Sequence, residues 1–163
     1  MDLKFKKATQ DDVSLIAQLA DRIWKKHYIT IITMEQINYM LDKMYSSQSL
    51  SKQMNDGHEF TLVYDGTKPI GYISLNTTDG KKYFMHKFYI EVDDQGKGIG
   101  SKLFAYVLEQ MPNAETIELF VNRENYKSIN FYFKHGFIIK SVINQDIGQG
   151  FYMNDFIMIK KIK

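Results

Sequence analysis

The stretch Gln95-Gly96-Lys97-Gly98-Ile99-Gly100 constrains this chain more than any other. It follows a long run of β-forming residues and leads at once into a helical apolar pattern. That pattern, Ile99, Leu103, Val107 and Leu108, ends before Pro112. So bare a backbone ahead of a helix exposes successive N–H groups at the positive end of the helix dipole. That arrangement binds anions, phosphates above all.

Three phosphate motifs compete for the stretch. The dinucleotide fingerprint G-x-G-x-x-G needs a third glycine where Ser101 stands, and it follows a first strand rather than the end of a meander. The P-loop G-x-x-x-x-G-K-[ST] matches nothing. The pattern Q/R-x-x-G-x-G/A fits at every position from Gln95 to Gly100. A plain glycine-rich turn is the bland alternative. Lys97 either adds a cation near the phosphate or is an ordinary solvated lysine.

The rest of the chain supplies the context. Leu3 to Ala8 alternates as a short strand. Thr9 is placed to cap a helix, with Asp11 and Asp12 in its first turn; Val13, Ile16, Leu19, Ala20 and Ile23 carry the apolar stripe to about His27. Thr33 caps a second helix through Ile37, Met40, Leu41 and Met44, and a shorter one covers Ser47 to Met54. Glu59 to Asn76 reads as a hairpin turning at Asp65-Gly66, and Lys81 to Val92 as a third strand of the meander. Beyond the glycines come a strand at Glu115 to Asn122 and a helix from Asn125 to Gly136. Two closing strands follow, Phe137 to Ile143 and Phe151 to Lys160. The order β-α-α-β-β-β-α-β-α-β-β predicts a single domain over residues 1–163. Its sheet is α/β, mixed and mostly antiparallel, around a central parallel β-α-β unit.

Bulk properties exclude several classes. A net charge of +2 makes no basic field for nucleic acid. The chain has no cysteine, so disulfides, thiolate metal sites and cysteine nucleophiles are excluded. His27, His58, His86 and His135 lie far apart in sequence, and no metal is expected. No run approaches ~18 apolar residues and MDLKFKK lacks a signal-peptide core, so the expectation is a cytoplasmic protein without membrane association.

With these residues in place the chain resembles the GNAT-fold N-acetyltransferases. Their motif is Q/R-x-x-G-x-G/A at a strand-to-helix junction. A second segment, Glu124 to Phe137 (ENYKSINFYFKHGF), is similar to the family's N-x-x-x-I-x-F-Y-x-x-x-G-F. The resemblance covers nearly the whole chain and is nearest to small-amine and polyamine members, whose FYM recurs at Phe151-Tyr152-Met153. It implies acetyl-CoA as co-substrate, in a cleft between the fourth and fifth strands. Backbone of Phe88, Tyr89 and Ile90 would pair with the pantetheine arm and donate to the oxyanion. Gln95, Gly96, Lys97, Gly98, Ile99, Gly100 and Ser101 would hold the pyrophosphate, and Asn125 would touch the cofactor.

The implied reaction is attack of a neutral amine on a thioester through a tetrahedral intermediate. Tyr132, at the family's tyrosine position, is the expected general acid for the departing thiolate; the bland reading is a packed helix aromatic. Ribosomal-protein N-terminal acetyltransferases of this fold carry a glutamate where Phe120 stands, and histone-type enzymes one near Phe84. Glu118, His86, Glu91 or a water chain remain as the base. The acceptor wall is expected from Trp24 and Tyr28, four residues apart, and from Glu91 and Tyr152; Asp146 and Asp155 are further carboxylates for a cationic substrate. The leading expectation is acetylation of a small-molecule primary amine, by a monomer or homodimer. Protein lysines or N-termini as acceptors, and a non-catalytic acyl-CoA sensor, are the alternatives.

Overall fold

In the computed structural model, which describes every residue from Met1 to Lys163, seven strands form one sheet with helices on both faces. The strands are β1 (Leu3–Lys7), β2 (Glu59–Asp65), β3 (Lys68–Thr77), β4 (Lys82–Ile90), β5 (Thr116–Asn122), β6 (Ile138–Gly148) and β7 (Phe151–Lys161). The helices are α1 (Val13–His27), α2 (Met34–Tyr45), α3 (Ser47–Asn55), α4 (Ile99–Glu109) and α5 (Tyr126–Lys134). Strand order across the sheet is β1-β2-β3-β4-β5-β7-β6. Only β4 and β5 run parallel, joined by the α4 crossover; every other neighbouring pair is antiparallel.

Local chemistry explains the boundaries. Thr9 and Asp12 form a reciprocal capping box, but its first turn, Gln10–Asp12, is a 3₁₀ turn that precedes α1 proper. The expected order is one helix short. Ser46 is extended (φ −61°, ψ 152°), breaks the chain between α2 and α3, and caps α3 by accepting from Ser49 N at 3.2 Å. The last two strands run longer than their apolar patterns, to a tight turn at Gly148-Gln149-Gly150 where all three φ angles are positive.

The sheet separates two apolar cores. Leu103, Phe104 and Val107 of α4 and Ile129 of α5 pack on one face against Met85, Leu119 and Val121. Ile16, Leu19, Ile23 and Ile37 of α1 and α2 pack on the other against Phe60, Leu62 and Tyr72. The feature that makes a site of this sandwich is an irregularity in β4. Ser74 of β3 pairs with Lys87 and Leu75 with Met85, so His86 has no partner and is the extra residue of a bulge. Bulges bend the strand that carries them. Pairing of β4 to β5 ends just there, at Met85 opposite Leu119. Beyond that point the two strands part and leave a gap in the middle of the sheet.

Candidate active site

The gap exposes backbone. Glu91 N–H bonds Ile70 O of the β3 side at 2.8 Å. Alternation along a strand then turns the Tyr89 backbone to β3 and the backbone of Phe88 and Ile90 toward the gap. The Ile90 carbonyl is already engaged, accepting from Gln95 Nε2 at 3.0 Å. Of the three residues expected to offer backbone there, Phe88 and Ile90 do so. Tyr89 instead contributes its side chain to the opposite wall, hydroxyl to hydroxyl with Tyr28 at 3.0 Å.

At one mouth of the gap lies a cavity of about 230 Å³, lined by Ile90, Gln95, Gly96, Gly98, Ile99, Gly100 and Ser101. Gly96 and Gly98 have φ of 79° and 78°, a left-handed conformation that glycine adopts freely. Gly98 is the residue from which α4 starts. Gly100 is bare for another reason: a Cβ there would meet the Phe131 ring at 3.2 Å. Lys97 does not line the cavity; its Nζ pairs with Asp94 at 3.0 Å. The cations beside the cavity are Lys127 and Lys134, at either end of α5, which the sequence reading did not single out. Ser101 Oγ bonds His135 Nε2 at 2.9 Å and ties the turn of α4 to the end of α5.

At the other mouth is a larger cavity of about 400 Å³ between α1, α2 and the parted strands. Trp24 and Tyr28 both line it, their ring centroids 4.5 Å apart. Burial pushes the Tyr28 hydroxyl up to about 12. Phe84 and Phe120, the positions that carry glutamates in some related enzymes, meet edge to face at 4.8 Å in the wall. Two charged groups face this space. Asp155 of β7 is 2% exposed and its carboxylate accepts no hydrogen bond; burial raises it to about 6, against the pull of Arg123. Lys87 of β4 is 8% exposed, and burial lowers its ammonium to about 8.

Other expected residues lie elsewhere. Glu91 is bound to Arg22 at 3.0 Å and does not line the cavity. Tyr152 is 53% exposed and likewise outside it. Glu118 pairs with Lys140, and the Asp146 carboxylate caps its own turn through Gly148 N at 2.8 Å. His86 does line the cavity, but burial and the neighbouring His58 and Lys87 hold its imidazole at about 4, so it is neutral at ordinary pH. Two of the histidines that are far apart in sequence meet in the fold: His58 and His86 stack with centroids 4.1 Å apart. Groups of three or more His, Cys, Asp or Glu side chains suited to a metal are absent.

Phe88, Ser128 and Tyr132 line both cavities. Tyr132 is 8% exposed, its hydroxyl bonds no protein group, and burial raises its pKa, so it stays protonated. Asn125 caps α5, accepting from Ser128 N at 3.4 Å, and faces the larger cavity.

A sequence model described as the acetyltransferase (GNAT) family matches residues 19–137. The chain belongs to that family and is an acetyltransferase. It is similar to the spermidine N(1)-acetyltransferase of Thermoplasma acidophilum, 26% identical, over 99% of this chain and 98% of the relative. Among solved structures it is similar to PaiA N-acetyltransferase from Thermoplasma acidophilum in complex with coenzyme A, with a TM-score of 0.84, 24% identity and 99% of both chains covered. It also resembles the ribosomal-protein-S18-alanine N-acetyltransferase of Escherichia coli, with a TM-score of 0.76, 13% identity, and 99% and 94% of the two chains covered. No helix is long and apolar enough to cross a membrane.

Proposed function

We propose that the chain transfers the acetyl group of acetyl-CoA to the primary amine of a small molecule. The observation that carries this reading is the meeting of the two cavities at Tyr132. The smaller cavity fits a pyrophosphate. Its backbone donors are bare, no side chain fills the space beside Gly96 and Gly98, and Lys127 and Lys134 flank it. Backbone of Phe88 and the N–H of Ile90, turned to the gap beyond the end of the β4–β5 pairing, suit an extended amide-bearing arm. The crystal structure of PaiA with coenzyme A supports the same fit in a protein of this fold.

Bound acetyl-CoA supplies the thioester; the amine nitrogen bonds its carbonyl carbon and the carbon–sulfur bond breaks. The Phe88 N–H faces the place where the carbonyl oxygen gains charge. Tyr132 gives its proton to the departing thiolate. The phenol carries that proton throughout the neutral range. Asp155, a buried carboxylate in the acceptor cavity, attracts the incoming ammonium and takes its proton. Asn125 holds the start of α5, and so Ser128 and Tyr132, against both ligands.

The spermidine acetyltransferase relative puts polyamines among the acceptors to try. The Phe84–Phe120 wall disfavours a peptide acceptor that needs a glutamate there. The test is release of free thiol from acetyl-CoA in the presence of amines, polyamines, aminoglycosides and peptides. Turnover with at least one small amine is expected. Saturable coenzyme A binding without turnover of any amine would leave an acyl-CoA sensor.

A further inference from the structure

Lys87 has no counterion. Its Nζ lies 5.0 Å from the Tyr45 ring centroid and 5.9 Å from that of Phe60; no carboxylate stands within 4 Å, and it donates no hydrogen bond to the protein. The two rings offset part of the cost of burying an ammonium. They accept none of its N–H donors, which face the cavity rather than a protein acceptor. The β4 bulge is what places it so: His86 is the extra residue, and Lys87 joins Tyr89 on the face toward α1 and α2. The nearby imidazoles of His58 and His86, both lowered by burial, add no positive charge at neutral pH. Lys87 is therefore the one cation in the wall of the larger cavity, and Asp155 the one carboxylate. The two are not paired with each other: both line the cavity, and no ion pair joins them.

We propose that Lys87 receives an anionic group of the acceptor, so that the molecule acetylated here carries both a primary amine and a carboxylate or similar anion. This rests on reading the larger cavity as the acceptor site. An ω-amino acid would set its ammonium by Asp155 and Tyr132 and its carboxylate by Lys87. A polyamine of similar length would bring a second ammonium against a buried cation with nothing between them, an arrangement that costs affinity.

The test compares n-alkylamines, α,ω-diamines, ω-amino acids and aminoalkylphosphonates of three to six carbons, with spermidine beside them. Thiol release from acetyl-CoA gives kcat/KM for each. The anionic amines should exceed the alkylamine and diamine of equal length by about tenfold or more, the usual scale for a buried charge pair. Lys87→Met should erase that ratio and Lys87→Arg should keep it. Trp24, the chain's single tryptophan, lines the same cavity and reports binding without turnover. Titration with 4-aminobutanoate should quench its fluorescence saturably in the wild type and not in Lys87→Met. Such quenching without turnover of any amine would uphold the anion site and end the proposed reaction. Preference for diamines or spermidine, an unchanged ratio in Lys87→Met, or no quenching in the wild type would end the anion site and leave the acetyltransferase reading intact.

Discussion

In the proposed reaction Tyr132 gives a proton and Asp155 takes one, and burial acts on both groups. A buried phenol holds its proton, and a buried carboxylate is readier to take one. Tyr132→Phe keeps the ring that packs against Phe131 and Phe137 and removes only the hydroxyl. The expected result is a fall in kcat of about 10²–10⁴-fold with acetyl-CoA affinity intact, measured by steady-state kinetics with circular dichroism as the folding control. Unchanged kcat in a folded variant would show that another group protonates the thiolate. Asp155 carries a stability signature as well. Its folded pKa of about 6 lies above the ordinary carboxylate value, so the folded chain binds the proton more tightly than the unfolded one. Stability from this group therefore falls as pH rises from about 4 to about 6, and the deficit persists above that. Asp155→Asn should be more stable than the wild type at pH 7.5, on the order of 2 kcal/mol, with the gain shrinking toward pH 4. Urea denaturation at the two pH values measures it. A variant less stable at pH 7.5 would mean the carboxylate has a stabilising partner.

At the scale of elements, the turn from β4 into α4 was the most legible part of the sequence. Glycines at positions 96 and 98 stand where φ is positive, and that demand is local enough to be read from a few residues. The Asn125 cap and the Asp65-Gly66 turn were legible for the same reason. The β4 bulge was not. It depends on how Ser74 and Leu75 of another strand line up with Lys87 and Met85, and nothing local in FMHKFYI announces it. Strict alternation puts Met85 and Lys87 on one face, so Met85 in the α4-side core with Lys87 over Tyr45 on the opposite side could not be foreseen. Asp155 was noticed as a carboxylate but could not be placed, because its position follows from β7 pairing with β5. The turn itself is testable by Gly98→Ala. Open space surrounds the added Cβ, so the cost comes from the left-handed backbone, roughly 1–2 kcal/mol per residue. Tilting the N–H groups to relieve it should weaken acetyl-CoA binding by about tenfold, the equivalent of about 1.4 kcal/mol. Calorimetry showing wild-type affinity would remove the turn from the cofactor site.

Across the whole molecule, the gap between β4 and β5 brings the two cavities together at Phe88, Ser128 and Tyr132. The α4–α5 face carries the glycine turn proposed to bind the pyrophosphate, and the α1–α2 face carries the aromatic cavity. The two family motifs lie on the first face, which is why the cofactor was readable and the acceptor was not. The wall of the larger cavity takes Trp24, Met40, Lys87, Phe120 and Asp155 from five separate elements, and only the folded chain brings them together. This division predicts how ligands stabilise the chain. Acetyl-CoA that binds the folded state alone adds RT ln(1 + [L]/Kd), about 2.7 kcal/mol at a hundredfold excess over Kd. For a chain of 163 residues each kcal/mol is worth roughly 2–4 °C, so Tm should rise by about 5–10 °C. Tyr132→Phe should show the full rise, because the hydroxyl acts on the leaving thiolate and not on the pyrophosphate. Lys87→Met should show it too, because that side chain belongs to the other face. Gly98→Ala should lose part of the rise at the same ligand concentration. Thermal melts of the three variants with and without acetyl-CoA separate the faces without any acceptor being known. Equal loss of the rise in Lys87→Met and Gly98→Ala would mean that cofactor and acceptor share one undivided site.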